Sequence, residues 1–369
     1  MADVLVVGCG LIGASAGLAL VQAGWDVVLH DESPQAVGEA TRRGAGRPWE
    51  RDEPATTALI AVPPRVTAAV LTELQKLDIA ATYTHVASVQ AHVQREVEAL
   101  SPDASQVVGG HPLAGRELSG AGAATADLFV GRPWAVCAGG ASSPRALADV
   151  RSLVAACGAD VVELSAEAHD VAVALLSHLP QLASSALAAG LAEAPAVTSD
   201  PVRLRLAGPG VVDTTRLAAS DPQLWLQILE LNAAEVAPVV TAMARRLSAT
   251  AEALTTLAHS PAPPDAARSV AVLRDLLREG NTGRALVPVK RGALSESFAP
   301  VRVSVPDEPG RLAALLTDAG KAAVNVEDVH VEHVPGRPTG IIELLVRVTD
   351  VAPLVEALGA RGWLVLGTS

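Results

Sequence analysis

The run VLVV at positions 4–7 has no polar position, and the segment after its glycines, LIGASAGLALVQ, carries small and apolar residues at helical spacing. A continuous apolar run followed by a tight turn and a helix predicts a parallel strand buried on both faces. DVVLHD then reads as a second strand. The same alternation continues through ATTALIAVPP, a helix over about 65–77, ATYTHVASV and QVVGGHPLAG. Strands alternating with helices over residues 1–165 predict a Rossmann-type, doubly wound α/β domain.

The period changes after Ser165. Residues 166–290 read as an all-helical second domain: SAEAHDVAVALLSHLPQLASSALAAGLAEA is one long helix that Pro180 should kink. A second long helix begins at SDPQLW, with Asp221 as N-cap and Pro222 at the first helical position, and PDAARSVAVLRDLLREGN is a further helix. Residues 287–300 read as a linker. From 298 to 369 the order is strand, helix, strand, Gly/Pro hairpin, strand, helix, strand, a βαββαβ unit of ferredoxin-like type.

Composition narrows the class. Half the residues are hydrophobic and only 2% aromatic, so the core is built from Ala, Val and Leu. The helical domain has more apolar surface than a lone bundle can bury, which predicts a homodimer. A net charge of −12 without a basic block argues against a nucleic-acid partner. Three cysteines without metal spacing fit a reducing compartment, and no signal peptide or membrane span is expected, so the expected location is cytoplasmic with no membrane partner.

Gly8, Gly10 and Gly13 form GxGxxG between the first strand and its helix, with Leu11 and Ile12 between the second and third glycines. The first permits the turn, the second lets backbone approach a pyrophosphate, and the third lets the helix pack close. Asp31, 18 residues beyond Gly13, ends the second strand, where a carboxylate accepts the adenosine ribose hydroxyls and repels a 2′-phosphate. The expected cofactor is NAD, although Arg42 and Arg43 one helix later could weaken that preference. Val62 and Pro63 end another strand, either beside the cofactor or as a simple proline stop.

GGHPLAGRELSG, 109–120, is too Gly-rich for a core helix and too polar for a buried strand. Taken alone, His111 reads as a solvated loop histidine sooner than as a catalytic one. GCGLIGAS, LIAVPP, HVASVQ, GGHPLAGRELSG, EAHDVAVALLSHLPQ, DTTRLAASDPQLW and LLREGNTGR, in this order over about 1–290, together resemble the prephenate/arogenate dehydrogenase family of tyrosine biosynthesis. The resemblance implies NAD-dependent oxidative decarboxylation of prephenate. It implies His111 as the general base, Ser88 at the substrate hydroxyl, His178 facing the substrate from the helical domain, and Arg216 as a carboxylate clamp. Gln181 stands where many relatives have a second histidine and should reach the same pocket, where a neutral amide bears on prephenate against arogenate. His85 and Gln90 replace the family's usual Asp and Lys around Ser88. Residue chemistry alone keeps bland alternatives open: a backbone-bonded core histidine at 178, and Arg216 paired with Asp213. His169 and Asp170 read as a structural pair at a helix start.

A metal site from His111, His169 and His178 is not expected, since hydride transfer needs none and 169/178 is not an i, i+4 pair. The C-terminal unit looks like an ACT domain. Asp307 and Gly310 in PDEPGRL, with Asn325 in VNVED, then form the expected amino-acid site, L-tyrosine being the implied effector; a dimerisation module without ligand is the other reading. The functional alternatives are an arogenate dehydrogenase, and an NAD-binding amino-acid sensor without catalysis.

Overall fold

The structure is a computed structural model that describes residues 2–50, 53–115, 120–194, 201–259, 263–287, 298–333 and 338–367. The chain divides into two compact units, 1–243 and 244–369.

The first unit is built on an eight-stranded sheet. Its strands are β1 (Ala2–Val7), β2 (Val27–His30), β3 (Arg47–Pro48), β4 (Ala55–Ile60), β5 (Ala80–His85), β6 (Val107–Pro112), β7 (Pro133–Ala138) and β8 (Asp160–Glu163). The order is β3-β2-β1-β4-β5-β6-β7-β8, and β6–β7 is the one antiparallel pair. The first six positions follow the doubly wound dinucleotide-binding order, so the chain reverses direction across the sheet between β1 and β4 and opens a crevice at their carboxyl ends. The unbroken apolar run of β1 has its predicted cause: Val4 and Val6 enter the core layer on one face, Leu5 and Val7 that on the other. Helices α1 (Leu11–Gln22), α2 (Pro34–Arg42), α3 (Pro64–Lys76), α4 (Ala91–Leu100) and α5 (Pro144–Ala156) connect the strands.

After β8 the described residues up to Leu286 form no strand. The long apolar helix is broken where a proline was expected to kink it, but by a different device. Helix α6 (Ala166–Val173) runs into a π-helical turn, Ala174–His178, and then α7 (Leu179–Glu193), with Pro180 in the first turn of α7. Pro180 has no N–H to give the preceding turn, and the wider π turn absorbs the mismatch. Ala166–Glu193 is long and apolar enough to cross a bilayer by composition, which the sequence reading had not expected. Its polar side chains His169, Asp170, His178, Gln181 and Ser184 are buried, while Val171, Leu175, Leu176 and Leu187 are exposed. Asp221 caps the next helix, Pro222–Leu231, by accepting the Gln223 N–H at 2.8 Å. Asn232 then separates it from Ala233–His259, so one predicted helix is two. The boundary between the units falls inside Ala233–His259.

The second unit holds the rest of that helix, a helix over Pro263–Leu286, and a four-stranded antiparallel sheet. Its strands are β9 (Phe298–Pro306), β10 (Asp328–His333), β11 (Thr339–Arg347) and β12 (Leu364–Gly367). Their order β10-β11-β9-β12, with helices Arg311–Lys321 and Val351–Ala360, is a βαββαβ unit with both parallel crossovers helical. Val301, Val303, Leu315, Leu344 and Leu354 form its core.

Candidate functional site

The dinucleotide loop has the geometry its glycines imply. Gly8 sits at φ +98°, and a Cβ there would lie 2.3 Å from the Ala61 carbonyl oxygen; at Gly13 it would lie 1.9 Å from the Gly8 oxygen. Gly10 is different: nothing stands within 4 Å of a Cβ there, so its outer face is open. Gly10 caps α1 without any side-chain bond, leaving the first N–H groups of a 12-residue helix available to an anion. Leu11 and Ile12 pack against the core beneath. Asp31 is held rigidly, Oδ2 accepting the Cys9 N–H at 2.7 Å and Oδ1 accepting the Ser33 N–H at 2.8 Å. Each oxygen retains a second lone pair for a hydroxyl donor. Val62 lies against Gly8 from the end of β4, and Pro63 caps α3. Arg43 is tied to the Ala124 carbonyl at 2.8 Å, and Arg42 folds back along its own helix near Gly38. These residues fit a dinucleotide.

His111 is the fifth residue of β6. Because β1, β4, β5 and β6 run parallel, His111 shares the carboxyl edge of the sheet with Gly8, Val62 and the turn that carries Ser88. The Gly pair before it now has a reason. A Cβ at Gly109 would meet Gln90 Oε1 at 2.4 Å, and one at Gly110 would meet the His85 carbonyl and the Trp134 indole nitrogen at 2.9 Å. The glycines let β6 lie against these side chains. Gln90, fully buried, donates from Nε2 to the carbonyls of Ala87 at 2.6 Å and Gly110 at 2.9 Å. It therefore staples the Ser88 turn to the strand of His111. His85 Nδ1 accepts the Ala87 N–H at 3.3 Å from the same turn. The two departures from the family pattern thus form a neutral hydrogen-bonded brace.

The helical segment supplies the remaining groups. His111 Nδ1 lies 2.9 Å from His169 Nε2, and His169 Nδ1 lies 2.8 Å from Asp170 Oδ1. His169 is 1% and Asp170 3% exposed, while His111 keeps a partly open face. Asp170 also accepts the Gln90 and Ala91 N–H groups at 2.8 and 2.9 Å, capping α4 from another element. The structure therefore places against His111 a pair that the sequence reading had set aside as structural. The missing signal was tertiary: His111 and His169 are 58 residues apart.

His178, at the end of the π turn, is buried. Its Nδ1 faces Asn232 Nδ2 at 3.2 Å, and that amide also donates to the Asp170 carbonyl at 3.0 Å. The bland reading of a backbone-bonded histidine is replaced by a side-chain partner, and Trp225 stands edge-on to the ring at 5.8 Å between centroids. With Nδ1 accepting, the neutral ring carries its proton on Nε2 as a donor. Burial pushes the pKa values of His85 and His178 down to about 4. Burial, with His169, His178 and His85 nearby, holds His111 far below the usual imidazole range. All three rings are neutral near pH 7.

Gln181 donates to the Leu217 carbonyl, in the turn that begins at exposed Arg216. Among the described residues no His, Cys, Asp or Glu cluster could hold a metal. In the second unit, Gly310 at φ +83° precedes helix Arg311–Lys321, the Asp307 N–H donates to the Pro338 carbonyl, and the Asn325 amide donates to Glu327.

Comparison with known proteins is consistent along the chain. Residues 16–163 match the nucleotide-binding domain of prephenate dehydrogenase, and residues 165–260 its dimerization domain. The chain is 38% identical over 368 residues to the probable prephenate dehydrogenase NovF of Streptomyces niveus, covering 98% of this chain and 99% of that one. The Synechocystis arogenate dehydrogenase structure is similar at 25% identity and TM-score 0.61, over 76% of this chain and 98% of that one. The Aquifex aeolicus prephenate dehydrogenase, solved with hydroxyphenyl propionate and NAD+, shares the fold at 24% identity and TM-score 0.65, over 77% of this chain and 97% of that one.

Proposed function

Because this chain belongs to the prephenate dehydrogenase family, we propose that it is an NAD-dependent dehydrogenase that converts prephenate to 4-hydroxyphenylpyruvate and CO₂. The observation that carries the reading is the position of His111: a partly open, neutral imidazole on the same sheet edge as the dinucleotide loop. The Gly8–Gly13 loop and the α1 N-terminus hold the pyrophosphate, and Asp31 holds the adenosine ribose. When bound, the nicotinamide supplies the hydride acceptor.

The chain's own residues do the rest. His111 Nε2 takes the proton of the C4 hydroxyl as the C4–H bond breaks. Ser88 donates to the same oxygen and orients it. His178, neutral with Nε2–H outward, donates to the substrate without adding charge. Arg216 clamps a substrate carboxylate with its two-pronged guanidinium. As the ring loses CO₂ its oxygen becomes phenolic and recovers the proton from His111. Reactants and products balance without net proton release, so His111 borrows a proton and needs no outlet to solvent.

The test is NADH production with prephenate and with L-arogenate side by side, each with NAD and NADP. Faster turnover of prephenate with NAD supports the reading; faster turnover of arogenate makes the chain an arogenate dehydrogenase, and none with either substrate overturns it. His111→Asn should lower kcat at least ~10²-fold with NAD affinity nearly unchanged.

Two further parts of the reading have their own support. Exposed Leu224, Leu226, Leu247 and Leu254, in the region matching the dimerization domain, favour a homodimer, and three free, buried cysteines favour the cytosol. The βαββαβ unit is read as an ACT-like regulatory domain of 298–369, with Asp307, Gly310 and Asn325 at a site for L-tyrosine. Inhibition of the full chain by tyrosine, lost in Asn325→Ala, would support it; tyrosine without effect or heat of binding at millimolar concentration would leave a ligand-free module.

A further inference from the structure

We propose that His169 and Asp170 are positioning residues for His111, fixing its tautomer and sharing the charge it acquires. This rests on the reading of His111 as base. The argument is a count of donors and acceptors. Asp170 accepts the N–H groups of Gln90 and Ala91, one on each oxygen, and its Oδ1 lies 2.8 Å from His169 Nδ1. A carboxylate only accepts, so the proton between it and His169 belongs to the ring. His169 therefore carries its proton on Nδ1, toward Asp170, and its neutral ring presents a bare Nε2. That nitrogen stands 2.9 Å from His111 Nδ1. Two lone pairs facing each other at this distance repel, so His111 holds its proton on Nδ1 and donates it. His111 Nε2 is left unprotonated and can accept the substrate proton. The opposite tautomer of either ring breaks the chain, and burial of His169 and Asp170 leaves no solvent to substitute.

The same chain answers an electrostatic problem. Burial disfavours a cation at His111. Asp170 is the buried anion that offsets the imidazolium, reached through His169. As the proton moves from the substrate oxygen to His111 Nε2, His111 Nδ1–H and His169 Nδ1–H both strengthen their bonds toward the carboxylate. When the C–CO₂ bond breaks, its electron pair enters the ring and the oxygen takes the proton back. The relay ends at a carboxylate filled with donors, which suits a charge held for one step and returned.

The experiment uses the full-length protein with three variants. Asp170→Asn turns an acceptor into a donor, reverses His169 and leaves His111 with its proton on Nε2. Its kcat should fall on the order of 10²–10⁴-fold, the range for loss of a carboxylate behind a catalytic histidine, with KM and NAD affinity within about 3-fold. His169→Gln keeps an acceptor for His111 but cannot share charge, and leaves both backbone bonds of Asp170 in place, so it also serves if Asp170→Asn does not fold. It should lose less than His169→Phe, which removes the acceptor. Nitrogen NMR of the imidazoles reads the tautomer without any turnover: His111 should be bare at Nε2 in the native protein and reversed in Asp170→Asn. A native protein that turns over normally while His169→Gln and His169→Phe both stay within about 3-fold overturns the relay, as does a native His111 protonated on Nε2. Failure of the native protein to oxidise either substrate would instead sink the reading of the function, with the tautomer still readable.

Discussion

The Gln181 amide donates to the Leu217 carbonyl at 2.9 Å, tying helix α7 to the turn that begins at Arg216. One helical turn on, Ser184 Oγ accepts the Ala218 N–H at 3.0 Å. Two buried side chains thus hold both sides of one peptide group, Leu217–Ala218, in that turn. We expect Gln181→Ala to raise the KM for substrate several-fold and to change kcat little, since it loosens a binding turn and leaves the His111 chain intact. Steady-state kinetics check this; a loss confined to kcat would place Gln181 at the chemistry.

Arg216 itself should behave as a binding residue. Arg216→Gln is expected to raise the substrate KM at least ~10-fold, because a neutral amide cannot replace a bidentate guanidinium–carboxylate pair. Arg216→Lys should recover only part of the loss, since an ammonium keeps the charge without the planar fork. An unchanged KM in both variants would remove Arg216 from the site.

The glycines of the loop should separate by role. Gly10→Ala meets open space in an ordinary backbone conformation, so thermal stability should hold while NAD affinity falls at least ~10-fold, the methyl standing where the cofactor's phosphates approach. Gly13→Ala places a methyl against the Gly8 carbonyl oxygen and should lower Tm as well. Calorimetric Tm with NAD titration distinguishes the two; equal Tm losses would contradict the assignment.

Acid should destabilise the first unit through its buried imidazoles. His85 and His178 have native pKa values near 4, and His111 also lies far below its unfolded value of about 6.5. Between those limits the unfolded chain binds protons that the native chain refuses, so stability falls as pH drops from about 6.5 toward 4. Urea midpoints should decline steadily over that window, and His85→Asn should flatten the slope by about one proton. A pH-independent midpoint from 7 to 4.5 would show these rings are not neutral in the native state.

Much of the architecture is legible in local sequence, because it rests on local physics. The apolar run of β1, the loop from Gly8 to Gly13, the Asp221 cap and the βαββαβ alternation after 298 each depend on residues within a few positions of one another. The break at Asn232 was not legible: its flanks are equally helical, and what sets it apart is an amide buried between Asp170 and His178. The π turn at Ala174–His178 was foreshadowed only as a kink at Pro180.

By itself, the sequence determined the fold class and the dinucleotide loop, since motif spacing and hydrophobic period are properties of a linear chain, while His111, Ser88, His178 and Arg216 stood out only through the resemblance to a family. Tertiary structure alone decided what surrounds His111. A helix beginning near Ser165 lays His169 against a strand that ends near Pro112 and Asp170 against the start of α4, and Gln90 and the Gly109–Gly110 pair shape the ground between them. Hydrogen-bond partners between segments far apart in the chain follow from packing, in which a single methyl at Gly109 or Gly110 would turn contact into clash. So the chain named its imidazoles, and the packing of α6 on α4 and β7, which brings His169 to His111, assigned their protons.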